Sequence, residues 1–197
     1  MCSWCWGFEP VRKALFGALP SNLDVKILLG GLAPDSDQPM AEPMQLMLQQ
    51  TWRKIQEAIP DTEFNFEFWK LCQPRRSTYP SNRAVIAARK QGKIFEELMI
   101  VRIQQGYYLE AKNPSDKNTL IEFAREIELD VNKFEVDLDS QEVQNELINE
   151  IRLCRELGLN SFPSLAMQIN GAITPIAIDY LNETNMLKKV EKLLKKN

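Results

Sequence analysis

The sequence predicts an α/β fold in which a large helical insertion separates two short α/β segments. A Cys-x-x-Cys motif, Cys2 to Cys5, opens a helical pattern at the start of the chain. Residues 81 to 157 have an almost entirely helical pattern. Two apolar runs then flank Asn170 and Gly171, a dipeptide typical of two-residue β-hairpin turns.

The composition limits the chemistry that this chain can perform. Its 197 residues include no histidine, four cysteines, 24 Lys and Arg, and 27 Asp and Glu. A histidine base, a Ser-His-Asp triad and an imidazole metal site are therefore excluded for this chain alone. The net charge of −3 argues against a nucleic acid or an anionic membrane as a partner. Carboxylate, lysine, tyrosine and thiol chemistry remain.

The same sequence predicts where the protein is located. No apolar run reaches 18 residues, and the first residues lack the basic start and apolar stretch of a secretory signal. We therefore expect a cytoplasmic protein that does not associate with membranes. A signal peptide upstream of Met1 would change this expectation, because it would direct the protein to an oxidising compartment.

The first segment, residues 1 to 34, is predicted to contain a helix and a strand. Apolar residues spaced three to four apart predict a helix over residues 6 to 19. Residues 24 to 32 form a β-branched and leucine run between turn residues, which predicts a buried strand. The thioredoxin-like fold, which this order of elements resembles, has a strand before the cysteine motif, but only Met1 precedes Cys2. We expect that strand to be missing from the sequence as given.

The middle segment, residues 35 to 158, is predicted to be the helical insertion. It begins with a helix over residues 42 to 59 and a short extended piece over residues 64 to 68, where phenylalanines alternate with polar residues. The helical stretch that follows is expected to break at Gly92, at Asn113 and Pro114, and near Asp130 and Asp139, with helix starts at Ser115 and Ser140.

The last segment, residues 159 to 197, is predicted to be a hairpin followed by a helix. The strands are expected over residues 165 to 169 and 172 to 178. A final helix from about Glu183 directs leucines and a valine inward and lysines, Lys196 among them, outward. The predicted order is cysteine motif, helix and strand, then, after the insertion, proline, strand, strand and helix. This order resembles that of a thioredoxin-like fold. The large helical insertion makes it DsbA-like.

The cysteine motif predicts thiol chemistry. Cys2 stands at a helix N-terminus, where free amides and the helix dipole favour the thiolate, so we expect it to be the nucleophile. Cys5, one turn further on, is expected to resolve the mixed disulfide. A zinc site is the less favoured alternative, because its other half would need the distant Cys72 and Cys154. We therefore expect no metal, and Cys72 and Cys154 to be idle thiols.

Pro163 is the second predicted component of the site. It stands at the start of the first hairpin strand, where thioredoxin-like proteins carry a cis proline beside the active cysteines. In that position the backbone of Phe162 can pair with an extended substrate next to Cys2. Glu9, Asp24 and Lys26 are candidates to accept the proton of Cys5.

Several segments together resemble the DsbA family, in particular its FrnE-like group of predicted protein-disulfide isomerases. These are Met1 to Phe8 (MCSWCWGF), Arg76 to Pro80, Arg83 with Ala84, Gln105 with Tyr107 and Tyr108, Asn113 with Pro114 and Asp116, and Phe162 to Ser164. The resemblance implies a thiol-disulfide oxidoreductase with Cys2 and Cys5 as its redox pair. Because Ser3 and Trp4 replace the Pro and His of DsbA, we expect a weaker oxidant than DsbA.

Residues around the motif are expected to bind substrate. The family position of Arg76 and Ser77 suggests that they line the cleft, although a capped helix start with solvated arginines explains them equally well. Trp4 is expected to form an apolar rim. The expected partners are protein or peptide thiols and disulfides, or glutathione as a co-substrate, with no other cofactor.

Two alternative functions remain open at this point. The kappa-class glutathione transferases and hydroxychromene-carboxylate isomerases share the predicted architecture but use a serine at the redox position, whereas this chain has Cys2. In the other alternative, the domain binds a peptide or partner protein without catalysis.

Overall fold

The computed structural model describes residues 1 to 195. The elements are α1 Ser3–Ala18, α2 Glu42–Ala58, α3 Phe68–Leu71, α4 Tyr79–Arg89, α5 Lys93–Tyr108, α6 Lys117–Glu126, α7 Val131–Leu138, α8 Gln141–Glu156, β1 Leu165–Ile169, β2 Ala172–Ile176 and α9 Thr184–Leu194. This order confirms the predicted thioredoxin-like fold, rich in helices and with a small antiparallel sheet. The last two residues of the predicted 159 to 197 segment, including Lys196, lie outside the described residues.

The first and last segments share one core. Phe8 and Leu15, on the apolar stripe of α1, are buried against Ile176 of β2 and against Met186 and Val190 of α9. Burying such side chains stabilises the fold by about 1.5–3 kcal/mol each. The helix that begins at the cysteine motif is thereby packed against the C-terminal hairpin and helix.

The insertion has its own core around α4. The run Ala84 to Ala88, three alanines with Val85 and Ile86, is almost completely buried where α5, α7 and α8 pack against α4. Asp130 accepts a hydrogen bond from the Lys133 amide and so caps α7. Ser140 caps α8 in the same way, as the sequence predicts for a helix start.

An aromatic cluster connects the insertion to α1. Trp52 of α2 is completely buried, with Phe68, Tyr107 and Tyr108 packed around it. Trp6 of α1 stacks on Tyr108, with 5.6 Å between ring centroids. The start of α1 is therefore held between two separately packed parts of the chain.

The predicted hairpin is confirmed. β1 and β2 pair antiparallel, with Leu165 opposite Ile176 and Ile169 opposite Ala172. Asn170 and Gly171 have φ values of 49° and 83°, the positive values that such a two-residue turn requires. β2 ends two residues earlier than predicted, at Ile176.

The strand predicted over residues 24 to 32 is wrong. The segment contains no strand, and nowhere in residues 1 to 195 does it share a ladder with β1 or β2. A strand exists only where a neighbour completes its hydrogen bonds. Here the Leu29 amide donates instead to the Glu150 carboxylate of α8, at 2.7 Å. The apolar run reflects burial, as at Leu29, and not strand pairing.

Three other boundaries differ from the prediction. The extended piece over residues 64 to 68 is a loop and turn leading into α3, because its phenylalanine rings pack around Trp52 instead of alternating across a sheet. α1 begins earlier than residue 6, at Ser3. α6 begins at Lys117 and not at Ser115, whose hydroxyl donates to the Ser77 carbonyl. No helix in the described part of the chain is both long and apolar enough to cross a bilayer.

Candidate active site

The fold brings the cysteine motif and the proline loop together across 160 residues of sequence. The Cys2 thiol donates to the Phe162 carbonyl, with 3.4 Å between sulfur and oxygen. The peptide bond from Phe162 to Pro163 is cis. Cys2 itself precedes α1 in an extended conformation, and the Cys5 amide donates to its carbonyl at 3.1 Å. Cys2 and Phe162 thus lie next to each other at one end of α1.

The two thiols of the motif have different acidities. The hydrogen bond from the Cys5 thiol, with the backbone amides of Cys5 and Trp4, lowers the pKa of Cys2 to about 7 against the opposing effect of burial. The same hydrogen bond to Cys2, together with burial, raises the pKa of Cys5 well above that of a free thiol. At pH 7 about half of Cys2 is therefore present as the reactive thiolate, whereas Cys5 stays a neutral thiol.

The contact between Gly30 and Phe162 positions the proline loop. The Phe162 ring packs directly on the backbone of Gly30, where a Cβ atom would lie 1.9 Å from the ring. Since no side chain fits there, glycine is required for this close approach. Phe162 is thereby anchored by its ring, while its carbonyl faces Cys2.

Trp4 lies beside a groove at the site. Its ring contacts that of Tyr180, with 5.1 Å between centroids. The two aromatic residues, with Ile59, Ile178 and Leu181, line a mainly apolar groove of about 420 Å³. Trp4 thus lines an apolar groove, and its predicted contact with substrate stays a prediction. Tyr180 was not predicted, because it lies in a loop far along the chain with no motif around it.

Ser3, the other residue between the cysteines, faces the insertion. It is buried, and its hydroxyl accepts a hydrogen bond from Trp52 Nε1 at 2.9 Å. The Trp6 indole donates to the Glu63 carbonyl at 3.0 Å. The contribution of Trp52 and Tyr108 to this site was not predicted either, since their spacing indicates only an apolar helix face.

The predicted substrate residues Arg76 and Ser77 occupy different environments. Arg76 is exposed and lies against the Met44 sulfur, at 3.5 Å. Ser77 is buried, and its hydroxyl accepts from the Ser36 amide at 3.2 Å. Its hydrogen bonds are made within the insertion, and its burial argues against the predicted contact with substrate.

The remaining cysteines lie in the insertion. All four cysteines are free. Cys72 donates to the Ala111 carbonyl at 3.0 Å, Cys154 is buried in α8, and burial raises the pKa of both thiols. Within residues 1 to 195, no group of three His, Cys, Asp or Glu side chains is arranged to hold a metal ion.

A helix that opens with two cysteines and faces a cis-proline loop at the entry to a β-hairpin defines a thioredoxin-like protein of the DsbA type. A family model described as thioredoxin matches residues 1 to 178. The chain therefore belongs to the thioredoxin family.

Solved structures support the same fold. A provisionally assigned protein disulfide isomerase from Nitrosomonas europaea superposes with a TM-score of 0.84 at 21% identity, covering 100% of this chain and 94% of the other. The cytosolic disulfide reductase DsbM from Pseudomonas aeruginosa superposes at 0.79, with 21% identity and coverage of 100% and 96%. DsbM with GSH superposes at 0.77, with 21% identity and coverage of 99% and 95%.

Curated relatives at the sequence level carry a different name. The ClpXP adapter protein SpxH of Bacillus subtilis is 25% identical over 165 residues, which is 84% of this chain and 54% of that protein. SpxH of Halalkalibacterium halodurans is 24% identical over 168 residues, 83% of this chain and 54% of the relative. The chain thus spans about half the length of these relatives.

Proposed function

We propose that this chain is a thiol-disulfide oxidoreductase in which Cys2 attacks and Cys5 resolves. One observation carries the proposal. Cys2 stands at the start of α1 with its sulfur 3.4 Å from the Phe162 carbonyl, next to the cis Pro163, and the Cys5 thiol lowers the pKa of Cys2 to about 7 while its own pKa is raised. A thiol with a pKa near ambient pH combines a large thiolate fraction with good nucleophilicity.

The exchange proceeds in two displacements when the protein acts as a reductant. The Cys2 thiolate attacks one sulfur of a substrate disulfide, so that a bond from Cys2 to that sulfur forms and the other sulfur leaves as a thiolate. Cys5, after losing its proton, attacks the Cys2 sulfur and releases the second substrate thiolate. The two leaving thiolates end as thiols, one with the proton that Cys5 gave up and one with a proton from water. The substrate gains two electrons and the pair becomes a disulfide.

After this reaction the Cys2–Cys5 disulfide must be reduced again, which requires a thiol as reductant. Two molecules of a thiol such as glutathione would reduce the Cys2–Cys5 disulfide and become one disulfide. The naming of DsbM as a cytosolic reductase and its solved form with GSH support glutathione as such a partner and a cytoplasmic location for this chain. The exposed guanidinium of Arg76 is suited to a carboxylate of glutathione.

The second substrate class is an extended peptide or protein that carries a disulfide. In the described chain the Phe162 amide makes no backbone hydrogen bond and is free to pair with a peptide strand. The groove lined by Trp4, which stands between the two cysteines, and by Tyr180 offers apolar contact to the same peptide. Peptide backbone and apolar side chains can therefore be recognised together.

An insulin-reduction assay with single cysteine variants tests this proposal. Cys2→Ala should abolish turnover, and Cys5→Ala should retain the first attack and accumulate a mixed disulfide on Cys2. Cys72→Ala and Cys154→Ala serve as matched controls, because they remove thiols of the insertion, and both should keep the wild-type rate. Equal turnover in wild type and Cys2→Ala would overturn the proposal.

The same cysteine variants, measured in other assays, separate the two alternatives. A kappa-like transferase would use the thiol of bound glutathione and would keep transferase activity in Cys2→Ala. A partner-binding domain, which the adapter names of the curated relatives support, would retain its partner in every cysteine variant. The metal content of the wild-type protein tests the alternative that the cysteines bind zinc.

A further inference from the structure

Two charged side chains of α1, behind the cysteine motif, form a cluster with a third from α5. Arg12 donates through Nε and Nη2 to the two carboxylate oxygens of Glu9, at 2.8 and 2.9 Å. It also donates through both terminal nitrogens to the carboxylate of Glu97, which belongs to α5 of the insertion. The side chains of Arg12 and Glu9 are 16% and 12% exposed, whereas that of Glu97 is 39% exposed. The cluster therefore spans the contact between α1 and the insertion.

Helix geometry directs this cluster toward Cys5. Positions 5, 9 and 12 follow one another at spacings of four and three, so the three side chains share one face of α1. Helical side chains lean toward the N-terminus, which brings the Arg12 guanidinium back toward the motif. The bonds to Glu9, one turn after Cys5, hold the Arg12 guanidinium on this face of the helix.

The electrostatics agree with this geometry. The hydrogen bond to Cys2, burial and the charge on Cys2 raise the pKa of Cys5, while the Met1 amine and Arg12 act in the opposite direction. Tyr108 of α5 and Tyr180 also face the pair, and the cysteine charges contribute to raising the pKa of both tyrosines. Arg12 is thus the side-chain cation that favours the Cys5 thiolate.

The net charge of the cluster does not favour the Cys5 thiolate. One guanidinium faces two carboxylates, so the cluster as a whole carries one formal negative charge. Glu9 is required locally, because it is the buried partner of Arg12. Glu97 is more exposed and comes from another part of the fold, and it reduces the positive potential that reaches Cys5.

We propose that Arg12 is a positioning residue that promotes the attack of Cys5 on the mixed disulfide, and that Glu97 of the insertion restrains it. The inference rests on the proposed function for the step in which Cys5 acts. The bonds made and broken are those of the second displacement. Arg12 changes only how readily Cys5 releases its proton, and Glu97 makes that release responsive to how the insertion packs on α1.

Opposite substitutions in the cluster should have opposite effects. We would replace Cys2 by serine, so that Cys5 reacts alone, and follow iodoacetamide alkylation of Cys5 against pH by peptide mass. Arg12→Met should lower the alkylation rate at pH 8 about threefold, and Glu97→Gln should raise it about threefold. Arg12→Lys, which keeps the charge, should remain close to the parent protein. In the protein that keeps both Cys2 and Cys5, the release of a small thiol from a mixed disulfide on Cys2 should change in the same directions.

Arg102 provides a matched control within the insertion. It is paired with Glu110 and Glu126 and lies over the Phe123 ring, as Arg12 is paired with two carboxylates and lies over Phe16. Arg102→Met and Glu126→Gln should leave Cys5 alkylation unchanged.

The outcomes separate this inference from the proposed function. Unchanged Cys5 reactivity in both cluster variants, or a change of the same sign in both, would overturn the inference even in an active enzyme. Opposite shifts in a protein that fails to reduce insulin would support the effect of Arg12 and Glu97 on Cys5 reactivity and would overturn the proposed function, together with the disulfide-exchange step in which Cys5 acts. If Arg12→Met does not fold because Glu9 is left buried without a partner, Glu97→Gln decides the question alone.

Discussion

Trp52 donates a hydrogen bond from its indole nitrogen to the hydroxyl of Ser3, over 2.9 Å and across 49 residues of sequence. Trp52 is completely buried in the insertion, and Ser3 stands between the two cysteines. The contact joins the packing of the insertion to the turn that carries Cys2 and Cys5. A change in how α2 packs therefore acts directly on the backbone between Cys2 and Cys5.

A double-mutant cycle measures that contact. Trp52→Phe leaves the Ser3 hydroxyl without its donor, and Ser3→Ala leaves the indole N–H buried without an acceptor, so each should lower the free energy of unfolding by about 1–3 kcal/mol. The double variant should lose less than the sum, with a coupling of about 1 kcal/mol in urea unfolding.

Trp69→Phe is the matched control for this cycle. The Trp69 indole nitrogen is buried in the same cluster but has no hydrogen-bond partner in the described chain. Combined with Ser3→Ala, it should therefore be additive. A coupling as large as that of Trp52 would show that the loss comes from general packing and not from the hydrogen bond.

Gly30→Ala should displace the proline loop. The added Cβ atom would meet the Phe162 ring at 1.9 Å, so either the ring or the backbone of Phe162 must move away from Cys2. We expect a loss of about 1–3 kcal/mol in unfolding free energy and a slower reaction of Cys2 with peptide disulfides. Gly17→Ala has open space around the new methyl group in α1 and should be neutral or stabilising by about 0.5 kcal/mol. Wild-type kinetics in Gly30→Ala would contradict the role given to Phe162.

The reactivity of Cys2 should depend on pH in a way that Cys72 does not share. The thiolate is the reacting species, so the alkylation rate of Cys2 in the reduced protein should rise with pH, reach half its maximum near pH 7 and level off above that value. Burial raises the pKa of Cys72, so its rate at pH 7 should be low and should still be rising well above that pH. Peptide mass analysis follows both sites in one sample. A Cys2 midpoint near that of a free thiol would contradict the pKa lowering.

Much of the fold was predictable because its signals are local. The hairpin follows from Asn170 and Gly171, whose positive φ values few other residue pairs adopt so readily. The start of α8 follows from the cap at Ser140. Residues 24 to 32 were predicted wrongly because an apolar run indicates burial, while a strand also requires a hydrogen-bonded neighbour.

For the candidate site, too, only the local features could be predicted from the sequence. The sequence alone determined which groups the proposed chemistry can use: two cysteines one helical turn apart, no histidine, and a proline before a hairpin. Only the tertiary structure decided the surroundings of those cysteines. It buried Ser77, placed Trp4 against Tyr180, bonded Ser3 to Trp52 and brought Glu97 to Arg12. The physical reason is that the acidity of a thiol depends on charges and donors within a few ångströms, and the fold brings these together from distant parts of the chain.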